Sequence, residues 1–310
     1  MGPADRPGYA APIEVAAEVR DALASRRPVV ALETTIISHG FPYPENLDLA
    51  RRLEVAVRDA GALPATIGLA DGRIRIGLDG ALLERFAGGR AAKVSRRNVA
   101  AVLASGELGA TTVAATMLCA DLAGIRVFAT GGLGGVHRGA ERTMDISADL
   151  TELARTPVCV VCAGAKSVLD LPLTLEYLET QGVPVVGVGT DRFPAFYTPD
   201  SGLPVPTRVE SPEAAAAVAR LHWALGGAGL VVAVPIPAEA ALEPAYVDAV
   251  TEQAIAAARE AGVTGSAWTP FVLDAIRART GGRSVEANRA LVVNNAAAAA
   301  RLAAALGPSP

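Results

Sequence analysis

Aromatic side chains, long apolar runs and a secretion signal are what this sequence most clearly lacks. Only 4% of its 310 residues are aromatic although 51% are hydrophobic, so Ala, Val and Leu must fill most of the core. No apolar run approaches the ~20 residues that span a membrane. The N-terminal segment has no continuous apolar core of the kind found in signal peptides. We therefore expect no membrane partner and a cytoplasmic location.

The sequence also has few cysteines and no excess of positive charge. The three cysteines, an odd number, are typical of a reducing cytoplasm. Cys159 and Cys162 form a CxxC, but PVCVVCAG reads as a strand, which places them on opposite faces and disfavours a metal or redox pair. A net charge of -4, a pI near 5.5 and scattered basic residues argue against a nucleic-acid partner. A small-molecule substrate is the expected partner.

What the sequence does contain is an alternation of apolar, β-branched runs with longer helical runs. It predicts an α/β fold, with three α/β/α layers around a central sheet that is largely parallel or mixed. Several runs are continuously apolar, as in strands covered on both faces. We expect a single domain over residues 1–310, with flexible termini at 1–11 and 307–310. The predicted strands are 28–32, 65–69, 73–76, 126–129, 158–162, 183–188 and 230–234.

Turn and cap residues add local detail to this plan. Asp71-Gly72 predicts a tight hairpin, and Ser211 with Pro212 behind it predicts a capped helix. Helices are also predicted over 167–179 and over the alanine-rich stretch 295–306. In such sheets ligands bind beyond the carboxyl ends of the strands, so the strand ends are where chemistry is expected.

Two strand-end segments carry unusual polar residues. Glu33 directly follows an apolar run, where desolvation raises the pKa of a carboxyl group and allows it to act as a general acid; the alternative is a structural acid or helix cap. Farther along the chain, Lys93, Arg96 and Arg97 precede a helical run. They could hold a phosphate, or they form an ordinary solvated helix start.

A glycine-rich loop and two aspartates follow the run 126–129. The loop TGGLGGVHRG extends from Thr130 past His137, and its glycines allow backbone N–H groups to approach an anion. Its glycine spacing is not the dinucleotide-binding fingerprint. If the next segment begins a helix, Asp145 and Asp149 share one face, and a divalent cation would offset their repulsion. The alternative is that both aspartates stabilise a helix N-terminus.

Lys166, at the end of VVCAGAK, has three possible roles. A phosphate-binding loop of the form GxxxxGK is disfavoured because Ala165 and Val160 occupy the two glycine positions. In partly apolar surroundings the pKa of a lysine falls, and its neutral amine can attack a carbonyl-like carbon. A lysine whose stem packs while its head reaches solvent is the remaining alternative.

In this order the segments resemble the pseudouridine-5′-phosphate glycosidase family, which includes the indigoidine-cluster A-type proteins. The resemblance runs from about residue 12 to residue 297, nearly the whole chain. The matching phrases are VALETTIISHGFPYPENLDLA, PATIGLADGRIRIGL, KVSRRN, TTVAATM, FATGGLGGVHRGAERTMDISADLTELARTPV, CAGAKSVLDLPLTLEYLETQGVPVVG and VEANRALVVNNA.

The resemblance implies reversible cleavage of the C–C glycosidic bond of pseudouridine 5′-phosphate to uracil and ribose 5-phosphate. It implies a homotrimer with one Mn²⁺, or another divalent cation, per subunit, bound by Asp145. It also implies that Glu33 is the proton donor and that Lys166 is the nucleophile that forms an imine with the sugar. The residues expected to contact substrate are Lys93, Val113, Thr130, His137, Ser147, Ala148 and Asp149.

Two positions depart from the family pattern, because Arg283 and Val293 stand where lysine is usual. Arg283 keeps the charge and Val293 loses it, so both could alter phosphate affinity. A sugar or nucleoside kinase and a non-catalytic binding module are the alternative functions. The presence of Glu33, Asp145 and Lys166 disfavours the binding module.

Overall fold

The computed structural model describes residues 11–263 and 268–307, and its backbone is built around one large β-sheet. In these two ranges eleven strands belong to this sheet, and two short strands pair with each other beside it. The strands, in chain order, are β1 (Ile13–Val15), β2 (Val29–Leu32), β3 (Leu63–Ala70), β4 (Arg73–Ile76), β5 (Ala92–Val94), β6 (Gly109–Thr111), β7 (Val127–Ala129), β8 (Val136–His137), β9 (Cys159–Cys162), β10 (Leu169–Asp170), β11 (Val185–Val188), β12 (Thr207–Val209) and β13 (Leu230–Ala233).

The centre of the sheet is parallel and apolar. β3, β2, β7, β9, β13, β11 and β12 lie side by side in that order, and each neighbouring pair is parallel. β4 and β6 pair antiparallel with β3, which makes the sheet mixed on one side. Every residue of β2, β3, β9 and β13 is buried, as expected for strands covered on both faces.

Helices cover both faces of the sheet and complete the three layers. They are α1 (Ala17–Ala24), α2 (Thr35–His39), α3 (Glu45–Asp59), α4 (Gly80–Ala87), α5 (Val99–Ser105), α6 (Val113–Leu122), α7 (Ala140–Thr143), α8 (Ala148–Leu153), α9 (Leu171–Thr180), α10 (Pro212–Ala224), α11 (Pro244–Glu260), α12 (Trp268–Arg279) and α13 (Arg283–Leu306). α13 packs between α3 and α10 on one face, and α6 packs with α8 on the other. The predicted three-layer α/β fold is confirmed.

The strand predictions are correct for the long apolar runs and miss the shortest strands. Each predicted run contains a strand, with bounds shifted by at most a few residues. β1, β5, β6, β8, β10 and β12 were not predicted. Each contains only two or three residues, too few to show a periodic pattern. Their pairing depends on partners brought from elsewhere in the chain.

Caps and turns follow the prediction at two points and differ at a third. Asp71-Gly72 forms the hairpin turn between β3 and β4, with positive φ at both residues. Ser211 caps α10 by accepting a hydrogen bond from the Ala214 N–H. The helix predicted over 167–179 is wrong at its start. Residues 169–170 pair with β8 as β10, so α9 begins only at Leu171.

The sequence also led to expectations about membrane spans, domain organisation and the cysteines. No helix within the described ranges is long and apolar enough to cross a membrane. The single-domain organisation stays a prediction, and the expected flexible ends at 1–10 and 308–310 lie outside the described residues. All three cysteines are free and buried. Burial raises the pKa of Cys119 and of Cys162 to about 12, which keeps these thiols protonated and unreactive.

Candidate active site

The candidate site lies where three adjacent parallel strands end. β7 is paired with β2 on one side and with β9 on the other, and the pairs Leu32–Ala129 and Ala129–Val161 bring their carboxyl ends level. The residues that follow these strands therefore leave the sheet at one edge. They are Glu33 after β2, Thr130 after β7 and the segment leading to Lys166 after β9.

Glu33 is a buried acid with one side-chain partner. The Thr130 hydroxyl donates a hydrogen bond to Glu33 Oε1, and the residue is 9% exposed. Burial raises the pKa of Glu33, while the positive charge of Lys166 and the Thr130 hydrogen bond oppose this shift. A carboxyl group in this environment can retain its proton toward neutral pH and deliver it to a substrate. The environment expected from the sequence is therefore present.

Lys166 is half-buried and reaches the glycine-rich loop from the β9 side. Its Nζ donates to the Gly132 carbonyl oxygen at 2.8 Å, and its backbone N–H donates to the Leu133 carbonyl oxygen at 3.1 Å. Both acceptors belong to the glycine-rich loop after β7. The lysine side chain therefore lies along that loop, with its amine hydrogen-bonded to the backbone.

Asp149 connects the glycine-rich loop to two helices. It lies in the first turn of α8, behind the cap Ser147 and the exposed Ala148. Its Oδ1 accepts from the Ala114 N–H at 3.0 Å, and its Oδ2 accepts from the Gly134 N–H at 2.9 Å. The first of these bonds places Asp149 beside the start of α6, whose first residue is the buried Val113.

The predicted pairing of Asp145 with Asp149 on one helix face is wrong. α8 begins at Ala148, so Asp145 precedes the helix and is held instead by a hydrogen bond from the His137 N–H to its carbonyl oxygen. The two carboxyl groups also differ in environment, because Asp145 is exposed whereas Asp149 is buried. Asp149 takes the role of the helix N-terminal acid that was the alternative.

Asp145 and His137 are the residues that fit a metal ion best. The His137 Nδ1 lies 3.8 Å from Asp145 Oδ2. Within residues 11–263 and 268–307, no group of three His, Cys, Asp or Glu side chains could enclose a metal. An exposed carboxylate beside one imidazole suits a hard divalent cation that keeps most of its water ligands. The residues present therefore fit a hydrated ion at Asp145, and they do not form a protein cage.

His137 packs against an aromatic ring and also lies beside Asp145. Its ring lies 5.2 Å from the Trp268 ring in an edge-to-face arrangement. Burial lowers the pKa of His137, and the Asp145 carboxylate opposes that shift. The imidazole therefore favours its neutral form, in which one ring nitrogen can accept a hydrogen bond or bind a metal.

The basic segment KVSRRN does not act as one cluster. Arg96 binds the buried Glu152 of α8 through both carboxylate oxygens. The expectation that Lys93, Arg96 and Arg97 hold a phosphate together is therefore wrong for Arg96, whose guanidinium serves the fold. The Lys93 side chain is exposed over part of its surface. Its pKa is lowered because protein atoms displace solvent around the amine and because the charge of Lys166 repels a second positive charge. Lys93 thus belongs electrostatically to the site.

Comparison with known proteins places these residues in a family. The family model described as "Indigoidine synthase A like protein" matches residues 18–305. The chain belongs to this family. Two curated relatives are named pseudouridine-5′-phosphate glycosidase. The protein of Cupriavidus pinatubonensis is 57% identical over 95% of this chain and 94% of its own length. That of Caldanaerobacter subterraneus is 56% identical over 95% and 96%.

Two solved structures share the fold of this indigoidine synthase A-like chain. The prealnumycin C-glycosynthase AlnA, crystallised in complex with ribulose 5-phosphate, has a TM-score of 0.88 and 44% identity, covering 95% of this chain and 96% of its own. An indigoidine synthase A-like protein of Thermotoga maritima has a TM-score of 0.87 and 34% identity, covering 96% and 98%. The family resemblance expected from the sequence is confirmed.

Sequence reasoning missed several residues that shape the site in this indigoidine synthase A-like chain. Phe196 has a φ of 62°, rare for a non-glycine residue, and its ring packs so closely on Gly132 that a Cβ there would lie 2.5 Å from it. Asn288 and Asn295 of α13 each carry a buried Oδ1 with no hydrogen-bond partner among the described residues. An asparagine within an alanine-rich helix was the one sequence signal available.

The two positions that depart from the family pattern lie on α13. The Arg283 guanidinium stacks over the Tyr246 ring at 5.4 Å. Val293 packs, partly buried, against the hydrophobic core. The charge of Arg283 is thus held against an aromatic ring, and the side chain at 293 serves packing.

Proposed function

We propose that this chain catalyses the reversible cleavage of pseudouridine 5′-phosphate to uracil and ribose 5-phosphate. The observation that carries this proposal is the placement of Glu33, a buried acid with a raised pKa, and of Lys166 at the ends of β2 and β9 on either side of the glycine-rich loop. The names of relatives at 56–57% identity support the substrate.

The bond that must break explains why the site contains an amine. An ordinary glycosidase uses two carboxyl groups, one of which protonates the leaving heteroatom. In pseudouridine 5′-phosphate the leaving atom is carbon C5 of uracil, which has no lone pair to accept a proton. An amine that forms a C=N bond with the sugar provides another route for the electrons.

The first half of the proposed reaction opens the sugar and attaches it to Lys166. Electrons of the uracil ring form a double bond from C5 to C1′, the C1′–O4′ bond breaks, and Glu33 gives its proton to O4′. Lys166, after losing one proton to solvent, then adds its amine to C1′, and the electrons return to the uracil ring. The Glu33 carboxylate takes a proton from the resulting ammonium nitrogen, which restores the nitrogen lone pair. Thr130, bound to Glu33, is placed to hold the acid toward the substrate.

The second half releases the two products. C5 of uracil is protonated, the lone pair of the Lys166 nitrogen forms the C1′=N double bond, and the C1′–C5 electrons restore the pyrimidine ring. Water then adds to the imine and frees ribose 5-phosphate and the amine. Asp149 is our candidate for proton transfer at the uracil, because it is buried beside the glycine-rich loop.

Other residues of the site bind and orient in this proposal. Asp145, with His137 beside it, would hold a divalent cation such as Mn²⁺, which when bound supplies positive charge and an ordered water. The residues proposed to contact substrate are Lys93, Val113, Thr130, His137, Ser147, Ala148 and Asp149. Lys93 would serve the phosphate, since its amine shares the electrostatic environment of Glu33 and Lys166.

Assembly and location belong to the same proposal. We propose a homotrimer in the cytoplasm, the first by family resemblance and the second because all three cysteines are free thiols. Light scattering of the purified protein tests the assembly, and a monomeric or dimeric mass would contradict it.

Trapping the sugar on the enzyme tests the covalent step. We expect uracil release from pseudouridine 5′-phosphate, and borohydride reduction in the presence of ribose 5-phosphate should leave a pentose phosphate adduct on the peptide containing Lys166. Lys166→Arg should reduce turnover by at least about 10³-fold and form no adduct, because a guanidinium cannot form the imine.

The surface variant Arg27→Lys serves as the control, because Arg27 is exposed and precedes β2, so the new amine lies at the end of that strand opposite to Glu33. It should retain turnover and carry its adduct only at Lys166. An adduct on another lysine, or trapping that survives Lys166→Arg, would contradict the covalent role. Absence of uracil release from the wild-type protein would contradict the activity itself.

A further inference from the structure

Asn295 is a fully buried polar residue in an apolar setting. It lies in the alanine-rich half of α13, where Val292, Ala296, Ala298 and Ala299 are also buried. Its Oδ1 has no hydrogen-bond partner among the described residues. An unpaired buried acceptor destabilises a fold, because it loses its hydrogen bonds to water without replacing them. A residue that served packing alone would be better replaced by an apolar one, so the amide group requires another explanation.

The amide nitrogen of Asn295 makes two bonds to one stretch of backbone. Its Nδ2 donates to the Thr130 carbonyl oxygen at 2.8 Å and to the Gly131 carbonyl oxygen at 3.2 Å. The reversed amide orientation would direct Oδ1 against two carbonyl oxygens, so these acceptors fix the orientation. Asn295, on a helix that covers the sheet, therefore binds the backbone of the loop directly after β7.

This stretch of backbone contacts both Glu33 and the segment that carries Lys166. The Thr130 hydroxyl donates to Glu33 Oε1. The Gly131 carbonyl oxygen accepts from the Ala163 N–H at 2.9 Å, at the start of the segment that leads to Lys166. A displacement of the Thr130–Gly131 peptide would therefore shift the partner of Glu33 and the anchor of the lysine segment together.

We propose that Asn295 is a positioning residue that holds the Thr130–Gly131 peptide so that the Thr130 hydroxyl meets the Glu33 carboxyl group. It acts through Thr130 and does not touch the reacting atoms. The inference deepens the proposed function, since it rests on Glu33 as the proton donor, but the bond that it concerns exists in the resting protein. That bond can be measured without turnover.

The hydrogen bond has a defined electrostatic consequence. The charged groups that act on Glu33 are Lys166 and Lys93, which lower its pKa, and Asp149, which raises it. The Thr130 hydrogen bond stabilises the ionised form and also lowers the pKa. If Asn295→Leu releases the Thr130–Gly131 peptide, the bond weakens and the pKa of Glu33 rises. The loss of one such bond corresponds to roughly half a unit to one unit.

A cycle of variants tests the inference by direct titration of Glu33. The carbonyl stretching band of the protonated acid is followed by infrared spectroscopy against pH and assigned by its loss in Glu33→Gln. Asn295→Leu and Thr130→Val should raise the pKa of Glu33 by similar amounts. The double variant should show no further rise, because both changes remove the same bond. Asn294→Leu is the matched control, since among the described residues the side chain of Asn294, on the same helix, donates its hydrogen bond to the Pro235 carbonyl oxygen and not to the glycine-rich loop, and it should leave the pKa of Glu33 unchanged.

The outcomes separate this inference from the proposed function. An unchanged pKa in Asn295→Leu, or additive shifts in the double variant, would overturn the positioning role even if uracil is released normally. A wild-type protein that releases no uracil would reject the activity while the titration still decides the role of Asn295. Where the enzyme is active, the alkaline limb of its kcat profile should move to higher pH in Asn295→Leu. If Asn295→Leu does not fold, Asn295→Ala, checked by its thermal unfolding, replaces it in the cycle.

Discussion

At the scale of single residues, the sequence can predict which side chains follow a buried strand, but it cannot predict which side chains contact residues far away in the chain. Glu33 and Lys166 stand out in the sequence because each follows a continuously apolar run, and burial at a strand end follows from the fold class. Asn295 contacts Thr130, which lies 165 positions away, and no local pattern reports such a contact. Asp145 was misassigned because the start of a short helix depends on capping, and Ser147 supplies the cap.

Glu33 also gives a pH-dependent test of stability. Burial raises its pKa in the folded state, so the folded protein holds this proton more tightly than the unfolded chain. The contribution of Glu33 to stability is greatest below its unfolded pKa and is lost as the pH rises through the folded pKa. Glu33→Gln cannot ionise, so its melting temperature relative to wild type should increase from pH 4.5 to pH 8. Turnover should fall by roughly 10²-fold or more. A melting difference that does not change with pH would contradict this account.

At the scale of elements, the glycine-rich loop is shaped by close packing as much as by any anion. A Cβ at Gly134 would lie 2.3 Å from Ser147 Oγ and 2.7 Å from Asp149 Oδ2, and a Cβ at Gly135 would lie 2.4 Å from Thr174 Oγ1. The sequence predicted the loop and its place after β7, but it could not reveal that α8 and α9 press against it. These contacts join the loop to Asp149 and thereby fix the geometry around Lys166.

Gly134→Ala tests this packing. The added methyl group should displace Ser147 or Asp149, break the bond from the Gly134 N–H and destabilise the fold by about 1–3 kcal/mol. Turnover should fall at least about tenfold if Asp149 acts on the substrate. Gly80→Ala is the control, because a Cβ at Gly80 meets nothing within 4 Å. Denaturant unfolding and uracil release measure both effects. A Gly134→Ala protein with wild-type stability and rate would contradict the packing argument.

At the scale of the whole molecule, the fold packs α13, near the end of the described chain, against the central strands of the sheet. The central strands were predictable because burial on both faces demands continuous apolar runs. The placement of α13 against β2, β7 and β9 was not predictable, because an alanine-rich helix can pack against almost any flat apolar surface. That placement closes one side of the site, while Asp145 remains exposed on another.

The exposed position of Asp145 leads to a prediction about metal binding that does not require turnover. Calorimetric titration of the wild-type protein with Mn²⁺ should give about one site per subunit, since one carboxylate and water can satisfy a hard cation. Asp145→Asn should weaken binding at least about tenfold, because an amide oxygen lacks the negative charge that attracts the ion. Glu141→Gln, an exposed acid on the same segment, should bind as the wild type does. Equal binding by Asp145→Asn would place the metal elsewhere, and equal weakening by Glu141→Gln would indicate attraction to general surface charge.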